Sequence, residues 1–290
     1  MKRIRVGLSG YGGIAKAHSL ACVAMGIVFD QLPFEVSLDT VCRRSAEGGR
    51  KAFRNIVTSF DELASNRNID VISICTPNDL HFQQGEEALL AGKSVYCEKP
   101  LGLNYREARE LAELSRKTGT INQVALIYRF MPAVVTARDY IAQGKLGEII
   151  NFKFVFRHKG YLDGNRPVTW RMIGDRSGGG AVLDLGIHMA DTMRFMLGEV
   201  ESVQAHLDTY FKRRYGDESR TYGVDVDTDE YALLNIVLKN GPRGMIECSR
   251  VASVLQEDAS IEIYGTKGSI SISSLNPNYP EIHDQDKGIT

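Results

Sequence analysis

The sequence predicts an α/β chain in two parts: an N-terminal doubly wound parallel sheet over residues 1–127, then an α+β domain over 128–290 with a large, mainly antiparallel sheet. Three observations carry this. Residues 2–9 read as an inner strand that runs straight into Gly10-x-Gly12-x-x-Ala15 and a helical segment, the context of a dinucleotide-binding (Rossmann) turn. Apolar strand runs and helical segments then alternate up to about residue 128, as parallel strands joined by crossover helices do. Farther on, the strand-like runs lengthen and follow one another across short turns, the pattern of an antiparallel sheet.

The bulk numbers fit this division. A length of 290 residues allows two domains, and 43% hydrophobic with 24% charged residues is ordinary for a globular chain. The net charge is −1 with no basic block, which argues against a nucleic-acid or anionic-membrane partner. No apolar run approaches the ~20 residues of a membrane span. The opening MKRIRVGLSG alternates and is broken by glycine, so it reads as a strand rather than a signal peptide. The cysteines (Cys22, Cys42, Cys75, Cys97, Cys248) are odd in number and lack a CxxC pair. They read as free thiols in a reducing compartment, which places the protein in the cytoplasm. No His/Cys/Glu grouping has metal-ligand spacing, so no metal is expected.

In the first turn, Gly10 makes the tight bend and Gly12 lets a pyrophosphate approach the N–H groups of Gly13 and Ile14 at the helix start. Ala15 keeps helix and strand close, and the helix runs on to Ile27. The second strand, 34–42, ends in Arg43-Arg44. An acid there would accept from a ribose 2′-OH. Two arginines instead offer forked donors to a 2′-phosphate, which favours NADP over NAD. Ser59-Phe-Asp-Glu62 has the form of a capping box. The strand 70–75 ends in Thr76-Pro77-Asn78, at the sheet edge where ligands sit in such folds, and a helix follows from Leu80 to Ala91. The strand 94–97 ends in Glu98-Lys99-Pro100, Asn104 and Glu107 cap the next helix, and 120–128 forms a further strand. A lysine at the position of Lys99 can stabilise a developing alkoxide, although alone it reads equally as a surface lysine.

The second half opens with a helix over 133–143 and a strand over 148–158. The polar stretch 161–171 then carries Asp163, Trp170 and Arg171. It is placed to cover a site, with Trp170 giving apolar cover and Asp163 or Arg171 binding hydroxyls; core packing is an equal reading for Trp170. Next come three glycines, Gly178 to Gly180, and a segment of helical period. On a helix Asp184 and His188 stand one turn apart. A carboxylate there can fix the imidazole tautomer and raise its basicity, as a general base needs; an ordinary capped helix with an incidental ion pair is the other reading. Strands are expected over 199–211, 228–239, 244–254, 259–264 and 268–274, with a hairpin turn at Gly241–Gly244. The segment 213–228 reads as a polar, mobile loop. Its acids, with Asp225, Asp227 and Asp229 in alternation, lack calcium-loop spacing and read as solvated.

Taken together, these motifs resemble the glucose–fructose oxidoreductase / inositol dehydrogenase (Gfo/Idh/MocA) family. They are Gly10-x-Gly12-x-x-Ala15 with His18 in its helix, Thr76-Pro77-Asn78 with His81, Glu98-Lys99-Pro100, Tyr128-Arg129-Phe130, Trp170-Arg171, and Gly178-Gly-Gly-x-x-x-Asp184-x-x-x-His188-x-x-Asp191. The match runs from residue 2 to about 274. The resemblance implies a nicotinamide-dependent dehydrogenase that oxidises a secondary alcohol of a sugar, cyclitol or related polyol, or runs the reverse reduction. It implies Lys99, Asp184 and His188 as the catalytic group, sharing one cleft, with Asn78 and Glu98 at the nicotinamide end. Tyr128 and Arg129 are expected on the substrate side. It also implies a homodimer or homotetramer built on the open sheet face.

This chain departs from the family's pattern in three places: Arg43-Arg44 stands where many NAD-using members have an acid, Ile127 where many have a polar residue, and the chain stops where members usually run on, as if cut short at its C-terminus. Two other readings stay open. Some relatives use bound nicotinamide without net redox change, as in glycoside cleavage. A non-catalytic cofactor-binding regulator is the third, against which the presence of Lys99 and His188 counts.

Overall fold

In order, β1 (Lys2–Ser9), α1 (Gly13–Val28), β2 (Phe34–Cys42), β3 (Asn55–Val57), α2 (Phe60–Ala64), β4 (Val71–Ile74), α3 (His81–Leu90), β5 (Ser94–Cys97), α4 (Tyr105–Thr118) and β6 (Asn122–Val124) build the first of two units, Met1–Ala125. The computed structural model describes residues 2–45, 52–216 and 223–289. The six strands form one sheet in the order β3-β2-β1-β4-β5-β6, and every neighbouring pair is parallel. The charged start of β1 is exposed while Val6 to Ser9 are buried, so the strand's apolar end lies in the middle of the sheet. Leu8, Leu63, Ile72 and Ile74 are fully buried and form the core.

α4 shows how local chemistry sets its bounds. The Asn104 side chain accepts from the Glu107 N–H at 3.1 Å, and Gly119 ends the helix at φ 65, in the left-handed region. The capping box at Ser59 is not made: Ser59 is the N-cap of α2 but its hydroxyl makes no capping bond. The final strand is shorter than its apolar run, because residues 127–130 leave it as a 3₁₀ turn just ahead of Pro132. β3 is an added edge strand outside the expected alternation.

The second unit, Leu126–Thr290, contains α5 (Pro132–Ala142), β7 (Ile149–Arg157), α6 (Gly174–Ser177), α7 (Ile187–Leu197), β8 (Val200–Asp208), β9 (Arg213–Tyr215), β10 (Gly223–Asp225), β11 (Tyr231–Leu238), β12 (Arg243–Ser249), β13 (Asp258–Gly265), β14 (Gly268–Ser273), β15 (Glu281–Asp284) and β16 (Gly288–Ile289). Eight strands form one sheet, β16-β15-β14-β13-β7-β12-β11-β8. All its pairs are antiparallel except β7 with β12. The β7–β12 register sets Phe154 against Ile246 and Phe156 against Cys248. These side chains share the inner face with Ile261 and Ile263 and pack against Met189 and Met193 of α7, which have no exposed surface. Each methionine buried this way contributes about 2 kcal/mol.

The β11–β12 hairpin turns at Gly241, where φ is +107, with the Gly241 N–H bonded to the Leu238 carbonyl at 2.9 Å. Within the expected polar loop, β9 and β10 pair as a small ribbon, and residues 217–222 of that loop lie outside the described residues. Its acids are not simply solvated. Asp227 accepts from the Gly174 N–H at 2.6 Å, at the start of α6. Asp229 accepts from the N–H groups of Gly180 and Val182 at 2.7 and 2.9 Å. The chain therefore uses two acids of this loop to hold helix starts. No helix among the described residues is long and apolar enough to cross a membrane.

Candidate active site

In the first unit the strand ends of β1, β4 and β5 bring together the turn residues picked out from the sequence. Gly10 has φ +84, and a Cβ on it would lie 2.7 Å from the Cys75 carbonyl oxygen, so only glycine fits. Gly12 and Gly13 have nothing within 4 Å of where a Cβ would stand. α1 begins at Gly13 with no side-chain cap and no acid in its first turn. No capping side chain and no first-turn acid competes for its first N–H groups, a fit for the pyrophosphate of a dinucleotide. Ile14 is partly exposed there, and Ala15 is fully buried against the sheet.

Thr76 and Ser9 both donate to the Gln84 side-chain oxygen, at 3.1 and 2.9 Å. The ring nitrogens of His81, a buried residue, lie 2.9 Å from the Thr76 carbonyl and 2.7 Å from that of Pro100. His81 thus ties the Thr76-Pro77-Asn78 turn to the Glu98-Lys99-Pro100 turn, and Asn78 is buried between strand and helix. The Lys99–Pro100 bond is cis, and the Lys99 N–H lies 3.3 Å from the Glu98 carboxylate. Glu98 reaches back to His18 of α1, Oε1 to Nε2 at 3.1 Å. On its other side His18 Nδ1 meets Ser73 Oγ at 2.9 Å and Cys75 Sγ at 3.3 Å. Burial works against the charged ring, but the bonds to Cys75 and Glu98 outweigh it and raise the His18 pKa to about 9.

Arg43 and Arg44 close β2. The Arg43 Nε donates to the Ser45 carbonyl at 2.6 Å, while Arg44 is exposed.

In the second unit the stretch after the glycines is not a plain α-helix. Val182–Gly186 is a π-helical turn and α7 starts only at Ile187. The i→i+5 bonding adds a residue to the turn, so positions four apart no longer stack as the sequence period implies. Two contacts explain why the chain enters this turn so closely packed. A Cβ on Gly180 would fall 1.8 Å from the Asp229 carbonyl oxygen, and the Ala181 N–H donates to that same carbonyl at 2.8 Å.

Asp184 Oδ2 accepts from Nη2 of Arg250 at 3.1 Å. His188 is buried, its ring 5.1 Å from that of Tyr128 and 6.3 Å from that of Phe156, centroid to centroid. Tyr128 therefore packs beside the imidazole, and burial first, then Glu257 and Asp258, pushes its phenol up to about 12, so it stays neutral at working pH. Arg129 makes a two-pronged ion pair with Asp191 and lies over the Phe195 ring. The Asp163 carboxylate accepts from the Asn165 N–H at 2.9 Å, shaping its own turn. Arg171 stacks on Trp170, 4.3 Å from the ring centroid.

Sequence reasoning missed Arg250 and the capping role of Asp229. Nothing near Arg250 in the chain marks it, whereas Asp229 sat in a conspicuous acidic run.

Comparison with known proteins identifies the family. Residues 4–126 match the model of the GFO/IDH/MocA oxidoreductase family, NAD-binding Rossmann fold, and residues 134–271 match the GFO/IDH/MocA C-terminal domain. The levoglucosan dehydrogenase of Pseudarthrobacter phenanthrenivorans is 32% identical over 93% of this chain and 73% of its own length. The scyllo-inositol 2-dehydrogenase (NAD(+)) of Bacillus subtilis is 32% identical over 76% of this chain, which spans 60% of that relative. A solved levoglucosan dehydrogenase in complex with NADH and levoglucosan superposes with a TM-score of 0.94 at 30% identity, covering 100% of this chain and 80% of that one.

These relatives correct the cofactor expectation. The Arg43-Arg44 pair favours NADP over NAD on sequence grounds, yet dehydrogenases similar to this chain are named for NAD or solved with NADH. In the turn the Arg43 Nε donates to the Ser45 carbonyl, so that donor is used within the chain, and an arginine pair at a strand end does not by itself specify a 2′-phosphate. With a matching motif order, both domain models and this fold, the chain belongs to the Gfo/Idh/MocA family of oxidoreductases, whose N-terminal part is an NAD-binding Rossmann fold.

Proposed function

We propose that the protein is an NAD-dependent dehydrogenase that oxidises a secondary alcohol of a sugar, cyclitol or related polyol. The observation that carries this is the uncapped, acid-free start of α1 behind Gly10, Gly12 and Gly13, in a chain whose relatives are sugar and inositol dehydrogenases. Bound NAD supplies the hydride acceptor. The chain's own residues handle the proton and the charge. His188 takes the hydroxyl proton, Lys99 stabilises the developing alkoxide, and Asp184 provides a fixed negative charge near the substrate. Tyr128, set against the His188 ring, orients it, and Trp170 with Arg171 covers the sugar.

We further assign the protein to the cytoplasm, on its five free thiols, and to a homo-oligomer. The support for the latter is the outer face of the eight-stranded sheet, where Tyr231, Leu233, Val237 and Met245 are only half-buried. Light scattering after gel filtration tests that point, and a monomer at micromolar concentration removes it.

The experiment for the activity is a panel of sugars, cyclitols and anhydrosugars with NAD, read by absorbance of reduced nicotinamide. Turnover dependent on added NAD is expected. Turnover that needs no added cofactor points instead to redox-neutral chemistry, and cofactor binding with no turnover on any polyol counts against the proposal.

A further inference from the structure

Arg250, at the end of β12, is the largest fully buried side chain among the described residues, with 1% of its surface exposed. A guanidinium keeps its proton at any working pH, so this is a permanent buried charge. Three groups meet it. Nη2 donates to Asp184 Oδ2 at 3.1 Å, Nη1 donates to the Arg171 carbonyl at 3.1 Å, and the guanidinium lies 5.0 Å from the Tyr161 ring centroid. Its backbone is fixed as well: the Arg250 N–H donates to the Glu230 carbonyl at 2.9 Å, and the Arg250 carbonyl accepts from the Tyr161 N–H at 3.0 Å. One buried arginine therefore links the π turn that carries Asp184 to the Trp170–Arg171 turn.

We propose that Arg250 is a positioning residue that fixes Asp184 as a standing anion in register with the Trp170–Arg171 turn, leaving His188 to take the substrate proton. The inference rests on the dehydrogenase reading for that last role, but its electrostatic part does not. A buried cation is tolerated when an anion compensates it. Protonating Asp184 would strand the guanidinium, so Asp184 is a poor proton acceptor however close a hydroxyl comes. The other charges around Asp184 agree. His158, at the end of β7, is held below its usual range by burial first, with Asp184 opposing and Arg250 and Arg166 adding to the shift. Asp229 is committed to the N–H groups of Gly180 and Val182, and His188 follows on the same helical stretch. Arg250 thus brings a cation to Asp184 from a different element, 66 residues away in sequence.

The test uses Arg250→Met and Arg250→Lys in the full chain. The Asp184 side-chain carboxyl is followed by carbon NMR against pH, its signal assigned from Asp184→Asn. Loss of a cation at this range is expected to move the titration midpoint up by about one pH unit or more in Arg250→Met. A midpoint unchanged in the folded variant overturns the proposal. This readout needs no turnover, so its failure is distinct from failure of the dehydrogenase assignment, which the substrate panel on the unaltered protein decides.

In steady-state kinetics Arg250→Met is expected to lower kcat about tenfold or more with NADH affinity within about twofold. Combined with Asp184→Asn it should add nothing further, and losses that multiply overturn the proposal. If Arg250→Met does not fold, Arg250→Lys carries the test. The ammonium keeps the charge but cannot fork between Asp184 and the Arg171 carbonyl, so the midpoint should stay near that of the unaltered protein while kcat falls about threefold or more. A kcat equal to that of the unaltered protein overturns the positioning role.

Discussion

Glu98 and His18 meet at 3.1 Å beneath the turn that carries Lys99, joining the first helix to the strand end that the sequence marks as catalytic. His18 carries a large upward shift, to about 9 from an ordinary 6.5. A folded-state pKa above the unfolded value means stabilisation that is complete below pH 6.5 and is lost as pH rises through about 9. Stability measured by urea unfolding should therefore fall across that window by about 1–3 kcal/mol. His18→Gln should flatten the fall. An unchanged profile in the variant would show that another group drives it.

The glycine turn separates binding from folding. Gly12 has open space around its missing Cβ, so Gly12→Val should leave the melting temperature within a few degrees while lowering NADH affinity about tenfold or more. Gly10→Ala should do something different, because its φ is +84 and the new Cβ meets the Cys75 carbonyl at 2.7 Å. A stability loss of about 2 kcal/mol is expected there. Calorimetric titration with NADH, beside thermal melts, checks both. Equal stability losses in the two variants would contradict this division.

Asp229 holds the start of the π turn through two backbone N–H groups. Asp229→Ala should cost about 1–3 kcal/mol, as loss of a charged cap does. Gly180→Ala should cost about 3 kcal/mol, because its Cβ cannot coexist with the Asp229 carbonyl at 1.8 Å. Urea midpoints at constant slope measure both. Wild-type midpoints would refute the capping role.

His188→Ala tests the proposed base. Turnover should fall about 10²- to 10⁴-fold while NADH affinity stays within about threefold, since the ring is assigned to proton transfer and not to the cofactor. Tyr128→Phe keeps the ring against His188 and should retain most activity. Tyr128→Ala removes that contact, 5.1 Å between centroids, and should lower kcat more than KM. Stopped-flow measurement of the hydride step separates chemistry from product release. A Tyr128→Ala variant as fast as Tyr128→Phe would remove the orienting role.

What could be read in the chain was local. The strand–turn–helix at Gly10–Ala15, the Asn104 cap, the Gly241 turn and the alternation that dictates a parallel sheet all follow from steric and periodic rules acting over a few residues. The tertiary structure decided what depends on distant partners. Sequence period alone implied a regular helix with Asp184 and His188 stacked; packing against Asp229 and Cys248 accompanies a π turn instead. Asp184 found its guanidinium 66 residues later, at a place set by the pairing of β7 with β12 and by nothing near Asp184 in the chain. The Ser59 capping box shows the converse, a correct local signature left unmade. Arg43 likewise turns its Nε to a carbonyl two residues on, a contact its strand-end position did not announce. Local rules fix which backbone conformations are cheap, but a charge's partner is chosen by sheet register, and that register is a property of the whole fold.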